Sequence, residues 1–320
     1  MKPNNIAQVK THPLTNKYII AIVALTCAVL WGSAFPVLKI SYTEMKLAPG
    51  DLSAKVILAG MRFFMASVFL FGVAAASKLS FRLDKRNWAV IALSGLLQIT
   101  LQYFFFYNAL AHVTGMKGAI LNSFGTFFVY ILAHFIYTND RLNMKKIIGL
   151  TMGLLGIIMV NYGKEFTLDF SWQGEGFLII AGLTTAIGTI MSKNISRNVH
   201  PLVMTAWQMM LGSVLLLILG FPGLHSETMT LTPKAWLLLF YAAFLSAAAF
   251  SMWYSVLKYN KAGEISVYRF MIPVSGAFLS ALFIPGEKLS LFMLAALVLV
   301  AAGIVVVNYR KGVDKEQVNS

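Results

Sequence analysis

At 320 residues the chain is long enough for two soluble domains, but 58% of it is hydrophobic and only 12% charged, with a mean hydropathy of +0.73, and that composition excludes an ordinary water-facing surface. The formal charge of +14 comes from 26 Lys and Arg against 12 Asp and Glu. Because the basic residues fall mostly between apolar runs, that charge reads as orientation in a lipid bilayer, with no nucleic acid partner.

Ten apolar runs predict membrane-spanning helices near 18–39, 56–77, 88–110, 117–137, 144–162, 175–192, 202–221, 235–257, 264–284 and 289–309, each able to cross a hydrocarbon core of roughly 30 Å. The expected fold is an all-α integral membrane protein. The first run follows Lys2, Lys10 and Lys17; it is long for a signal-peptide core and opens a series of similar spans, so it reads as a retained helix. It also holds the single cysteine, Cys27, which excludes an internal disulfide and any cysteine-based metal cluster. Short polar or turn-rich pieces such as "SKLSFRLDKRN", "TNDRLNM" and "NKAGE" separate the runs. Alternate connections carry unequal charge: 17 Lys and Arg lie on the side of the two termini and seven on the other, with Arg62 and Arg269 inside spans. By the positive-inside rule both termini face the cytoplasm.

The fifth run ends "GIIMVNYGK", Gly156 to Lys164, and the tenth ends "GIVVVNYRK", Gly303 to Lys311. At the same offset of 147, Asp140-Arg141-Leu142 falls on Glu287-Lys288-Leu289, Tyr107 on Tyr254 and Leu110 on Leu257. A register held over so many residues reads as duplication, with five-helix repeats at 18–162 and 175–309. Five is odd, so the second copy enters the membrane from the opposite side. Inverted repeats of this kind recur in secondary transporters, with the substrate site near the midplane between them.

The "LWGSAFPVLK" of Leu30 to Lys39, Arg62 after its apolar lead-in, Pro273, the "PGEKL" of Pro285 to Leu289 and the "GIVVVNY" ending together resemble the EamA-type members of the drug/metabolite transporter superfamily. The likeness runs from about Tyr18 to Tyr309. It implies ten helices in two halves, a central cavity, and export of amino acids or other small metabolites. The Gly-Glu common between the last two helices of each half is Gly286-Glu287 in the second but Asn139-Asp140 in the first.

Gly115, Ala119, Asn122, Thr126 and Tyr130 form a small and polar face on the fourth run, and Ser266, Arg269, Pro273, Gly276 and Ser280 do so on the ninth. The offset maps Asn122 to Arg269 and Thr126 to Pro273. An arginine in a span costs at least about 2.5 kcal/mol on insertion scales and is usually aimed at a cavity or a partner. Arg269 therefore reads as a substrate contact for a carboxylate or phosphate, or else as a side chain snorkelling near Glu264. For Arg62 the expectation is snorkelling to the interface. Pro273 frees a carbonyl in mid-span and is a candidate gating kink.

Trp31, Tyr107, Trp253 and Tyr254, with Tyr103, could clamp an apolar part of a ligand, or belong to an interfacial belt. Gln98 and Gln102, one turn apart on the third run, read as bonds to a neighbouring helix, with the cavity as the alternative for both. Gly149, Gly153 and Gly156 read as scaffold packing or as a dimer face, which leaves a homo-oligomer open. His134 alone among the histidines lies well inside a run; it reads as a packed residue, with a proton relay as the alternative.

No GxxxxGK[ST], HExxH or GxSxG sequence is present. No metal or other cofactor is expected. The acids fall in connections, at helix ends or in the tail, so facilitated diffusion or exchange is expected ahead of proton coupling through His134 or Glu264. The expected function is a secondary transporter of amino acids or similar small metabolites in the cytoplasmic membrane, most directly an exporter. The alternatives are an anion or organophosphate exchanger and, without the acid–base cluster it would need, an integral-membrane lipid-modifying enzyme.

The charge bias makes a topological prediction. With Ser80→Cys or Thr167→Cys placed in a Cys27→Ala background, an impermeant thiol reagent on intact cells labels the Thr167 position and spares the Ser80 position. The opposite labelling would reverse the orientation.

Overall fold

The structure, a computed structural model, describes residues 12–48, 50–110, 112–113, 115–162, 170–223, 229–286 and 288–309. Several residues of the charge and repeat arguments lie outside these, among them Lys2, Lys10, Lys164, Glu287 and the C-terminal Arg310, Lys311 and Lys315.

Within them the chain is a bundle of ten helical spans: α1 (Lys17–Glu44), α2 (Leu52–Ala76), α3 (Lys85–Leu110), α4 (Gly115–Asn122 continued as Phe124–Ile136), α5 (Met144–Val160), α6 (Trp172–Ile195), α7 (Pro201–Gly220), α8 (Pro233–Tyr259), α9 (Ala262–Phe283) and α10 (Leu291–Asn308). Nine are long and apolar enough to cross a membrane by the usual criteria. The tenth is α5, whose 17 residues at about 1.5 Å each are just sufficient. Large apolar side chains cover the outside, among them Ile22, Phe135, Leu291 and Val298. In water such a surface would aggregate; in lipid it is the solvated face.

Polar caps set the starts. Asp51 accepts from the Ala54 amide at 2.8 Å, Asn143 from Lys146 at 3.0 Å and Thr232 from Ala235 at 3.0 Å, each satisfying an amide that the first helical turn leaves without a partner. That is why α2 begins four residues before its apolar run. At the other end α1 passes the expected stop at 39 and runs to Glu44, ending where Lys46 takes a positive φ of 55°.

The offset of 147 reappears in element boundaries. The second part of α4, Phe124–Ile136, matches Met271–Phe283 of α9, and the caps Asn143 and Ser290 precede α5 and α10 alike. Both α4 and α9 break before this longer part, α4 after eight residues and α9 after five. In α9 the break is a 3-10 turn, Val267–Phe270, and its cause is Pro273, which has no N–H for the Arg269 carbonyl and crowds it.

The closest packing joins the first five helices to the last five. Helix α2 lies along α7, α5 along α10, α1 against α8 and α9, and α6 against α3 and α4. Glycines allow the backbones to touch. A Cβ on Gly32 would lie 2.8 Å from the Gly276 nitrogen, one on Gly182 2.9 Å from the Gly125 nitrogen, and one on Gly149 3.0 Å from the Gly303 carbonyl. The glycine stripe of α5 is thus used inside the chain: Gly149 faces Val307, Gly153 the Phe270 ring and Gly156 Val300.

Buried polar groups are also satisfied across this seam. In α3 a π-helical stretch, Leu96–Leu101, turns Gln98 toward α6 and α8. Its amide donates to Ser192 Oγ at 3.0 Å and its carbonyl accepts from the Tyr254 hydroxyl at 2.6 Å. Gln208 on α7 donates to the same Ser192 hydroxyl and to Ser94. Arg62 does not snorkel. It is 2% exposed, and its Nε donates to Ser246 Oγ at 2.6 Å and to the Ala242 carbonyl at 3.2 Å on α8. The interface was the expected destination because Arg62 follows an external connection; a partner across the bundle draws it inward instead.

Removal of one member of this network has a defined outcome. Tyr254→Phe leaves the Gln98 carbonyl without its donor and lowers stability by about 1–2 kcal/mol, read as a lower midpoint of thermal unfolding in detergent. An unchanged midpoint would mean that the bond contributes nothing to the fold.

Candidate functional site

A cavity of about 660 Å³ enters the bundle between α1, α3, α4, α5 and α9. Toward one face its lining includes Leu110, Asn161 and Lys288 at or just beyond the ends of spans and Lys39 about a turn before the end of α1, which marks this side as its mouth. The lining also includes Gln102 and Arg269. The volume suits a small metabolite. Three cations, Lys39, Arg269 and Lys288, contribute to the wall, and among the described lining residues there is no carboxylate.

The break in α9 places its key residue. Arg269 sits in the 3-10 turn ahead of Pro273, and its guanidinium carbon lies 5.8 Å from the Trp31 ring and 5.9 Å from the Trp253 ring. Those two indoles meet edge to face at 5.3 Å. Cation–π attraction from a pair of rings holds the guanidinium at the cavity wall. Glu264, the alternative partner from sequence, bonds Lys261 at 3.2 Å, and no carboxylate pairs with Arg269 among the described residues.

Asn122, Thr126, Arg269 and Pro273 line the cavity together, as do Ala119, Gly276 and Ser280 of the same two faces. Trp31 and Trp253 contribute through Arg269; Trp253 is itself 2% exposed. Tyr107 and Tyr254 do not line the cavity. Both are buried, Tyr254 in the Gln98 network and Tyr107 beside Tyr103 at 6.0 Å between rings. Gln102 is a cavity group and Gln98 a bond between helices. His134 uses Nδ1 to accept the Leu142 amide at 3.1 Å, tying the end of α4 to the following turn.

Phe35, Phe106, Lys39 and Lys288 were not singled out from sequence, yet all four line the cavity. Phe35 and Lys39 lie within the quoted "LWGSAFPVLK", so the signal was present in a motif read only as a family mark. Phe106 carried no signal of its own among the neighbouring aromatics of α3.

The opposite face is closed. Ile265, Ser266, Val267 and Phe270 of α9 are buried to about 1% exposure or less, and a separate polar recess on that side is lined by Tyr137, Asp140, Lys193, Arg197 and Lys258.

Comparison with known proteins agrees with this geometry. The sequence pattern of the EamA-like transporter family matches residues 18–162 and 172–309. The uncharacterized transporter YvbV of Bacillus subtilis is 27% identical over 300 residues, covering 92% of this chain and 93% of its own. A probable amino-acid metabolite efflux pump of Salmonella typhimurium is 23% identical over 292 residues, 88% of this chain and 92% of its own. One solved crystal structure superposes with a TM-score of 0.75 over 92% of this chain and 97% of that one, at 16% identity, a likeness of fold. A ten-span bundle with a central cavity, matched by the family pattern in both halves, is a multi-pass membrane protein of the EamA-like transporter family.

Proposed function

We propose that this protein is a secondary transporter that carries a small carboxylate-bearing metabolite, an amino acid or a similar compound, outward across the cytoplasmic membrane by alternating access. The observation that carries the reading is Arg269, inside the cavity against Trp31 and Trp253 and with no carboxylate among the described lining residues. A guanidinium so placed offers a carboxylate two parallel hydrogen bonds. Phe35 and Phe106 supply apolar wall for the rest of the molecule, and Asn122 and Thr126 supply neutral polar groups near the charge.

The efflux relative in Salmonella supports both export and the substrate class. Two five-helix halves, 18–162 and 175–309, related by inversion, are supported by the common offset and by the packing, in which α1 against α9 and α8 is answered by α6 against α4 and α3. With the basic connections on the cytoplasmic side, the cavity mouth faces outward and the closed face inward. The absence of a carboxylate among the described lining residues favours equilibration or exchange over proton-driven accumulation. Exchange of organic phosphates is the second reading, favoured by Lys39 and Lys288 at the mouth, where a doubly charged ligand would meet more than one cation.

Counterflow into proteoliposomes tests this. Liposomes loaded with unlabelled amino acids take up the labelled compounds, and Arg269→Ala weakens apparent affinity about 10- to 100-fold. Arg269→Lys retains part of the flux, because a lysine loses the paired geometry. Wild-type flux in Arg269→Ala protein that inserts normally would remove the residue from the site. Uptake of organic phosphates without amino acids would establish exchange instead.

A further inference from the structure

The closed face is held by a contact between the two sets of five helices. Asp140, in the turn between α4 and α5, is 1% exposed, although from sequence it reads as a residue of a surface connection. One carboxylate oxygen accepts from Lys146 Nζ at 2.5 Å; the other accepts from the backbone amide of Gly263 at 2.8 Å, 123 residues along the chain. Lys146 is itself 4% exposed and gives its remaining protons to the carbonyls of Asp140 and Arg141, each at 2.8 Å.

Gly263 belongs to the first turn of α9, whose preceding residue, Lys261, supplies no side-chain cap. The carboxylate of Asp140 therefore caps α9 from the other half, where an anion is favoured by the helix dipole and by an amide with no intrahelical partner. The fit is tight. A Cβ at Gly263 would stand 2.9 Å from Asp140 Oδ1 and 3.2 Å from Lys146 Nζ. One turn further on, Ser266 is fully buried and its hydroxyl has no partner among the described residues, and one turn beyond that is Arg269. The path from cavity to closed face thus runs along a single stretch of α9 whose first turn is tethered by Asp140.

We propose that Asp140, with Lys146, is the latch of the closed face: it holds the start of α9 against the α4–α5 turn, and its release opens the cavity to that side. This rests on the alternating-access reading. Asp140 and Lys146 touch no substrate in this scheme; they set which face is open.

Site-directed labelling reads the latch without needing a substrate. In a Cys27→Ala background, Asn122→Cys reports the cavity from its open mouth and Ser266→Cys reports the closed face. Inverted and right-side-out vesicles are treated with an impermeant maleimide. Asp140→Asn, which keeps the shape and loses the charge, slows labelling at Asn122→Cys and speeds it at Ser266→Cys, the ratio of rates moving about tenfold or more. Gly263→Ala, which keeps both charges and wedges them from the amide, shifts the ratio in the same direction. An Asp140→Lys, Lys146→Asp double variant stays open, because a lysine at 140 cannot accept from Gly263.

Unchanged labelling in Asp140→Asn and Gly263→Ala would overturn the latch, as would a rise at both positions in protein that elutes like the wild type. Flux with unchanged labelling would leave the transport reading standing and the latch refuted. A shift in labelling in protein that carries no tested substrate would leave the latch standing and refute the proposed substrate.

Discussion

Hydrocarbon offers no hydrogen-bond partner, so every polar group carried into the bilayer has to be answered from within the protein. In this chain several of the answers come from the other half. Arg62 on α2 is met by Ser246 and the Ala242 carbonyl on α8; Gln98 on α3 by Ser192 on α6 and Tyr254 on α8; and Thr100 on α3 by the Gly212 carbonyl on α7 at 3.0 Å. Glycine pairs such as Gly32 with Gly276 and Gly125 with Gly182 bring the backbones close enough for those bonds. The seam between the halves is therefore the core of the molecule, and the cavity is the part of it left unfilled.

The two faces of the bundle use opposite chemistry. On the side of the cavity, Lys39 and Lys288 bring two cations to the lining. At the closed face Asp140 and Lys146 are drawn together at 2.5 Å with low exposure. A buried ion pair gains little net stability, because desolvation offsets its attraction, but loss of one partner is strongly unfavourable. Such a pair is suited to fixing one arrangement of helices. Arg269 lies between these two environments, and among the described residues no carboxylate pairs with it.

Much of this was legible in the sequence. Ten apolar runs became ten spans, and their ends moved by a few residues, in α1 and α2 where a cap at Asp51 or a positive φ at Lys46 set a limit that hydropathy does not register. The helical faces of α4 and α9 placed Asn122, Thr126, Arg269 and Pro273 together because periodicity of 3.6 is a property of the sequence itself. What could not be read were contacts set by tertiary packing. Tyr254 and Trp253 are adjacent aromatics, yet one bonds Gln98 and the other backs Arg269. Nothing in "TNDRLNM" tells that Asp140 folds inward to the amide of a distant glycine.

The interleaving of the halves also bears on how the protein is made. Arg62 is inserted long before its acceptors exist, since Ser246 lies 184 residues later in the chain. At ribosomal rates of about 5–20 residues per second the guanidinium waits on the order of ten seconds or more. Before α7 and then α8 emerge, α2 has neither a neighbour along that face nor an acceptor for its arginine. The first five helices must be sheltered by the insertion machinery, by headgroup contacts or by one another, so a ribosome stalled before α8 would expose a charged, incompletely packed intermediate to membrane quality control.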